Sequence, residues 1–398
     1  MNYCKWGTVL KQWKGVIVKY RELGKTCLRV SEIGLGGEWL ERHNTEEVRA
    51  VIRRCEEQGI NILDCWMSEP NVRSNIGKGI AGNREHWIIQ GHLGSTWQNG
   101  QYVRTRNLQQ TETAFQDILD RMGTDYLDIG IIHYVDEKAE FQQIMQGEFI
   151  EYVLSLKQQG RVRHVGLGTH NPEVAKMAAL DGRIEMILFS INPAFDMLPA
   201  TENIDDYFQD TYAEQLGGIA PEREELYRIC EQQGVGITVM KGYAGGRLFK
   251  AEASPFGVAL TPVQCLHYAL TRPAVASVMV GCDTTEHVDA AAAYETASDE
   301  EKDYASVLAN APKHAYSGQC TYCGHCSPCP SRIDIAMTNK LYDLAVMQLE
   351  MPATVQSHYD LMAAHAGDCI QCGGCETRCP FGVKIVERMV KTKELFGR

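Results

Sequence analysis

The sequence predicts an α/β fold, a closed (β/α)8 TIM barrel followed by a small, mainly helical domain, and two observations carry that expectation. From about Tyr20 to Glu295, short β-branched runs alternate with amphipathic stretches, the pattern of parallel strands joined by helical crossovers. After Glu295 the alternation stops, and eight of the chain's 15 cysteines fall between Cys320 and Cys379.

Eight strands are expected: Glu32 to Leu35, Ile60 to Asp64, Trp87 to Gly91, Leu127 to His133, Val162 to Leu167, Ile184 to Phe189, Val235 to Met240 and Ala276 to Gly281. Helical segments such as Thr45 to Gln58 and Thr111 to Met122 lie between them. Capping residues open several helices, namely Asn44, Asn171 before Pro172, and Thr261 before Pro262. Eight such units over about 260 residues suit a closed barrel. An open dinucleotide-binding sheet would carry G-x-G-x-x-G after its first strand, whereas this chain has Gly34-Leu35-Gly36-Gly37 followed by Glu38. The acidic stretch Ser298 to Lys302 marks a boundary, giving an extension over 1–16, a barrel over 17–297 and a second domain over 298–398, with helices over Asp334 to Leu349 and Val355 to Ala366.

The composition narrows the function. With 398 residues, 44% apolar and 23% charged, the chain is of ordinary globular type, and its net charge of -12 repels nucleic acid and anionic lipid surfaces. No apolar run reaches the roughly 18 residues of a membrane span, and the first residues lack a signal-peptide core, so a cytoplasmic location is expected.

The cysteine arrays define metal chemistry. The second, Cys369-x2-Cys372-x2-Cys375-x3-Cys379-Pro380, matches the bacterial iron–sulfur run; the first, Cys320-x2-Cys323-x2-Cys326-x2-Cys329-Pro330, is one residue shorter. Zinc is the alternative, but two arrays of four suit a zinc ribbon poorly. In the two-cluster arrangement Cys320, Cys323, Cys326 and Cys379 hold one [4Fe–4S] cluster, and Cys369, Cys372, Cys375 and Cys329 the other. Of the remaining cysteines, Cys65 and Cys282 stand at strand ends, where barrel active sites are built.

The barrel resembles the aldo-keto reductases, and the chain from about Lys19 onward resembles the subgroup with a C-terminal ferredoxin-like domain. The matching segments are Tyr20 to Gly37, Gly59 to Asp64, Tyr126 to His133, Arg163 to Gly166 and Val239 to Gly246. The resemblance implies nicotinamide-dependent carbonyl reduction by a tetrad of Asp, Tyr, Lys and His. Asp64 and His133 match two members; Glu69 stands where the Tyr is expected and His92 where the Lys is expected. The resemblance also places Gly168, Thr169, Lys241, Gly245, Gly246, Gly281 and Asp283 along the cofactor. Asp283 would repel a 2′-phosphate, so NAD(H) is favoured over NADP(H).

Asp64, Glu69, His92 and His133 should converge at the barrel mouth as acid and base, with His92 or Glu69 replacing the Tyr, or as ligands of an additional mononuclear metal. Trp39, Trp66, Trp97, Tyr134, Phe195 and Tyr243 suggest a pocket for an apolar or ring-shaped substrate, and Arg104 and Arg106 are candidates for a substrate carboxylate. The leading expectation is an oxidoreductase of anaerobic metabolism acting on a small molecule, with two [4Fe–4S] clusters connecting it to a ferredoxin- or flavodoxin-type carrier. The rivals are a lyase or epimerase with structural clusters, and an electron-transfer subunit with a degenerate barrel.

Overall fold

The computed structural model describes residues 18–197, 220–309, 320, 326–346, 351, 353–379 and 382–398; the extension 1–16 and Cys323 lie outside them. Eight parallel strands close in sequence order: β1 (Ile33–Gly36), β2 (Ile62–Cys65), β3 (Ile88–Leu93), β4 (Leu127–Ile132), β5 (Val162–Thr169), β6 (Met186–Ser190), β7 (Gly236–Met240) and β8 (Val275–Gly281), which pairs with β1. All eight predicted strands are present, with ends displaced by at most two residues. The predicted caps are present as well. Asn44 and Glu47 form a reciprocal capping box at the start of Thr45–Gln58, Thr261 and Gln264 form one at Pro262–Leu270, and Asn171 caps Pro172–Asp181.

Inside the barrel Ile62, Ile88, Ile129, Ile131, Met186, Leu188 and Met279 form one apolar cluster. Its N-terminal end is closed by Leu23, Leu28 and Val30, carried on an antiparallel hairpin of Tyr20–Glu22 and Arg29–Ser31 that the sequence pattern did not suggest. The lumen leaves no room for a side chain on β1 at Gly34, where a Cβ would lie 2.2 Å from Met279 Cε. Because strand side chains alternate, steps of two from these interior residues bring Asp64, His92 and His133 to the inner face at the C-terminal ends of β2, β3 and β4. That end is where such barrels carry their chemistry.

Helices Asp299–Lys302 and Tyr304–Ala309 pack on Pro262–Leu270, with Gln264 Nε2 donating to the Asp303 carbonyl at 3.1 Å and Arg272 Nη2 to Tyr304 Oη at 2.9 Å. Both helices belong with the barrel in the first compact unit, through residue 309.

The second unit has helices Ile335–Val346, Ala353–Asp360 and Ile385–Phe396. Fully buried Tyr359 stacks on Phe396 with centroids 4.1 Å apart and accepts a hydrogen bond from the Ala366 amide. So small an apolar core is the kind that metal clusters commonly supplement. Among the described residues no helix is long and apolar enough to cross a membrane.

Candidate active site

At the C-terminal end of the barrel four side chains form a continuous hydrogen-bonded chain. Asp64 Oδ1 lies 3.0 Å from His92 Nε2, His92 Nδ1 lies 2.7 Å from His133 Nδ1, and His133 Nε2 lies 2.6 Å from Tyr102 Oη. Asp64 Oδ1 also accepts from Gln90 Nε2 at 3.0 Å. Asp64, His92 and His133 are each buried, and strand register holds them. Tyr102 comes from elsewhere. It sits on a hairpin, Ser95–Gln98 paired with Gln101–Arg104, that rises from the end of β3. The turn is Asn99-Gly100, both with positive φ (52° and 80°), the two-residue connection that matches strand twist. Trp97 pairs with Tyr102 across it.

The surroundings brace this chain. The Trp66 ring stacks parallel to His133 at 5.8 Å and meets Tyr102 edge-on at 5.2 Å, and its carbonyl accepts from Ser95 Oγ. Arg106 Nη2 donates to the carbonyls of His133 and Tyr134 at 2.7 and 3.0 Å and pairs with Glu140, while Arg104 Nη1 donates to the Tyr134 carbonyl. The two arginines thus fix the strand end that carries His133 instead of standing free for a substrate carboxylate. Tyr134 itself is held at φ 48°, an uncommon conformation for a tyrosine.

Burial sets the protonation chemistry. It drives His133 well below the usual imidazole range, reinforced by the neighbouring His92, Arg106, Arg104 and His170. It pushes the Tyr102 phenol up to about 12 despite Arg104 and Arg106. At the rim, Glu38 is raised by burial against the opposing charge of Lys241 and a hydrogen bond from Trp66. Glu41 reaches about 7 through burial and the nearby Glu69 and Glu38.

Other predicted positions fall differently. Glu69 does not join the chain: its carboxylate caps helix Pro70–Ile80, accepting from the Val72 amide at 2.7 Å and from Asn71 Nδ2 at 3.0 Å. Among the described residues no three His, Cys, Asp or Glu side chains converge closely enough to chelate a single metal ion, a tighter demand than that of a multi-iron cluster, and at the mouth all four imidazole nitrogens already have partners. Burial pushes the Cys65 and Cys282 thiols to about 12, which removes them as nucleophiles. Thr169 follows lumen-facing Gly168 and so points outward, donating to Asp136 Oδ1 at 3.0 Å. Burial would raise Asp136, but the His170 charge and hydrogen bonds, with Thr169, hold it at about 2.

The cofactor positions also differ from one another. Gly245 and Gly246 take φ 67° and 83° with nothing within 4 Å of where a Cβ would be, leaving open backbone that a phosphate could approach. Lys241, at φ 59°, accepts at its carbonyl from Asn192 Nδ2. Gly281 accommodates the Trp39 indole, whose Cδ1 would lie 2.3 Å from a Cβ there. Asp283 lies between two imidazoles, 2.5 Å from His287 Nδ1 and 3.7 Å from His43 Nε2.

In the C-terminal unit Cys329, Cys369, Cys372 and Cys375 line one cavity with Ile333, Ile335, Val386 and Met389. The loop is bent by Gln371 and Gly373 at φ 54° and 69°, and the Gln371 amide donates to Cys369 Sγ at 3.4 Å. Arg378 joins the two arrays by donating to the carbonyls of Cys326 and Pro328 at 2.5 and 2.8 Å. Four thiols around an apolar cavity, with an amide aimed at sulfur, suit a [4Fe–4S] cluster.

Comparison with known proteins agrees with both regions. Residues 32–261 match the aldo/keto reductase family, and residues 316–383 match a 4Fe-4S dicluster domain. The chain belongs to the aldo/keto reductase family and is an oxidoreductase with a 4Fe-4S dicluster domain at its C-terminus. It is 26% identical over 290 residues to the uncharacterized oxidoreductase YqkF of Bacillus subtilis, a match covering 68% of this chain and 89% of that one. It is 26% identical over 196 residues to the L-glyceraldehyde 3-phosphate reductase of Escherichia coli, where 46% of this chain and 54% of that protein are spanned. The holo form of aldo-keto reductase AKR11C1 from Bacillus halodurans has the same fold, with a TM-score of 0.57 at 23% identity over 75% of this chain and 97% of that one.

Proposed function

We propose that the protein interconverts a carbonyl and a hydroxyl on a small, apolar or ring-shaped substrate, with Tyr102 as the proton donor and His133, His92 and Asp64 as its relay. The observation that carries this reading is the unbroken hydrogen-bonded chain from Asp64 to Tyr102. A carboxylate only accepts, so with Asp64 ionised His92 donates from Nε2. Neutral His92 then accepts at Nδ1 from His133, and His133 accepts at Nε2 from the Tyr102 hydroxyl. One added proton reverses the direction. His92 becomes an imidazolium against Asp64 and donates from Nδ1, His133 donates from Nε2 to the phenol oxygen, and the Tyr102 proton turns outward to the substrate oxygen. As Tyr102 gives up its proton it takes one from His133, which takes one from His92. Because burial pushes the Tyr102 phenol up to about 12, giving up a proton without replacement would leave a costly phenolate; the relay avoids it. Alcohol oxidation runs the same steps backwards.

Carbonyl reduction takes two electrons and two protons. Tyr102 supplies one proton; both electrons and the other hydrogen would arrive as hydride from a nicotinamide nucleotide, which two electrons, one from each cluster, and one solvent proton would regenerate, and this makes a ferredoxin- or flavodoxin-type protein the matching external carrier. Cys320, Cys323, Cys326 and Cys379 would hold one cluster and Cys329, Cys369, Cys372 and Cys375 the other. A nicotinamide nucleotide bound along Gly245 and Gly246 would supply hydride chemistry, and Asp283 favours NADH over NADPH there. Half-buried Trp39, Trp66, Trp97, Tyr134 and Tyr243 supply apolar walls for the substrate, whereas Phe195 is buried in the core.

Tyr102→Phe tests the reading: with iron content retained, turnover should fall by about 10²–10⁴-fold. Turnover near the wild-type rate would overturn it.

A further inference from the structure

The C-terminal unit carries an apolar surface beside its cysteines. Of the six large apolar side chains exposed among the described residues, five (Val346, Leu361, Ile370, Val390 and Leu395) belong to this unit, and the most exposed of all, Ile370 at 67%, follows Cys369 directly. Cys372, which lines the cavity with Cys329, Cys369 and Cys375, is itself exposed. On helix Ile385–Phe396, Val386 lines the same cavity, and Val390 and Lys393, four and seven residues on, continue its stripe outward. Val390 is 42% exposed.

The charge of this segment is opposite to that of the chain. From Cys369 to Arg398 there are six basic residues (Arg378, Lys384, Arg388, Lys391, Lys393, Arg398) and three acidic ones (Glu376, Glu387, Glu394), a formal balance of +3 where the whole protein carries -12; Arg388, Arg398 and Lys391 pair with Asp343, Asp360 and Glu387, so Arg378, Lys384 and Lys393 are the cations that face a partner. An acidic partner is repelled by most of the molecule and drawn to this segment, so electrostatics selects both the site and the orientation of an encounter.

We propose that the surface formed by Ile370, Cys372, Arg378, Lys384, Val390 and Lys393 is the docking site of a small acidic one-electron carrier protein, and that the cluster held by Cys329, Cys369, Cys372 and Cys375 is where its electron enters. The inference rests on the reading that the clusters carry electrons. One electron passes from the reduced carrier to the oxidised cluster per encounter, leaving carrier oxidised and cluster reduced, and no bond is made or broken.

The test uses the holoprotein with both clusters, a reduced acidic ferredoxin as probe, and stopped-flow absorbance of cluster reduction together with binding of the oxidised ferredoxin by calorimetry. In the Lys384→Glu/Lys393→Glu protein the bimolecular rate at low salt should fall at least tenfold and its salt dependence should flatten. Val390→Glu, at an exposed position that does not line the cluster cavity, should weaken binding with iron content unchanged, and photochemical reduction of the clusters should proceed as in wild type. Unchanged rate and affinity in both variants, or preference for a basic cytochrome over the ferredoxin, would overturn the proposal. If ferredoxin reduces the clusters through this surface but no carbonyl substrate draws the electrons off, the docking site stands and the proposed reaction fails.

Discussion

Asp64, His92, His133 and Tyr102 reach the barrel mouth from three strands and a hairpin, and each finds its partner within the group. Cys369, Cys372 and Cys375 lie within seven consecutive residues and face a cavity they share with Cys329. The difference teaches what each region needs to be complete. The mouth is finished by strand register and the hairpin, which bring each member of the group to a partner within it. The cysteine region brings donors but relies on a cluster to tie its loops and its thin apolar core together.

The largest effect should come from breaking the second region. Cys369→Ser should reduce iron from about eight to about four atoms per chain. It should also loosen helix Ile385–Phe396, whose Val386 and Met389 line that cavity; iron analysis and hydrogen exchange check both, and the barrel should keep its protection. A retained eight irons would show that the regions are not assembled as described.

Next in size, His92→Gln keeps a hydrogen-bonding side chain but cannot become an imidazolium, so turnover should fall about 10²–10⁴-fold while iron content holds. In the nucleotide segment, the Asp283 charge should make NADH bind more tightly than NADPH by about fivefold, a screened charge being worth about 1 kcal/mol. Asp283→Asn should narrow the gap in titration calorimetry, and tighter NADPH binding by the wild type would contradict the assignment.

The smallest effect concerns acid stability. Folded His133 binds fewer protons than unfolded His133 because its pKa is lowered by burial and the adjacent positive groups. Stability attributable to it is therefore present above about pH 6.5 and is lost as pH falls below that through its folded value. His267 and His358, lowered chiefly by burial, add in the same sense. Denaturant melts between pH 7 and 5 should show falling stability, with a shallower slope in His133→Gln; an unchanged slope would place His133 outside this titration.

The sequence made the barrel legible because its signals are local: β-branched runs, caps at Asn44, Asn171 and Thr261, and spaced cysteines. Asp64, His92 and His133 were legible as residues at the ends of expected strands, and in the structure period-two alternation through β2, β3 and β4 turns all three inward. Glu69 caps the helix that Pro70 opens; position after a strand does not distinguish a catalytic carboxylate from a helix cap, although Pro70 immediately after it is a cap signal. Thr169, placed along the cofactor by the resemblance, is turned outward by alternation from Gly168 and donates to Asp136. Tyr102 was missed altogether. Its contact with His133 is long-range, but Asn99-Gly100 between Ser-Thr-Trp-Gln and Gln-Tyr-Val-Arg is a hairpin signal that would have lifted a tyrosine toward the mouth.

The relay itself is tested most directly by a double-mutant cycle of Tyr102→Phe and His92→Gln, with turnover measured on iron-replete proteins. If one chain of protons joins the two residues, the double variant should be no slower than about the slower single variant, because either change already interrupts the same transfer. Losses that multiply would mean that Tyr102 and His92 act independently, and would contradict a relay from Asp64 to Tyr102.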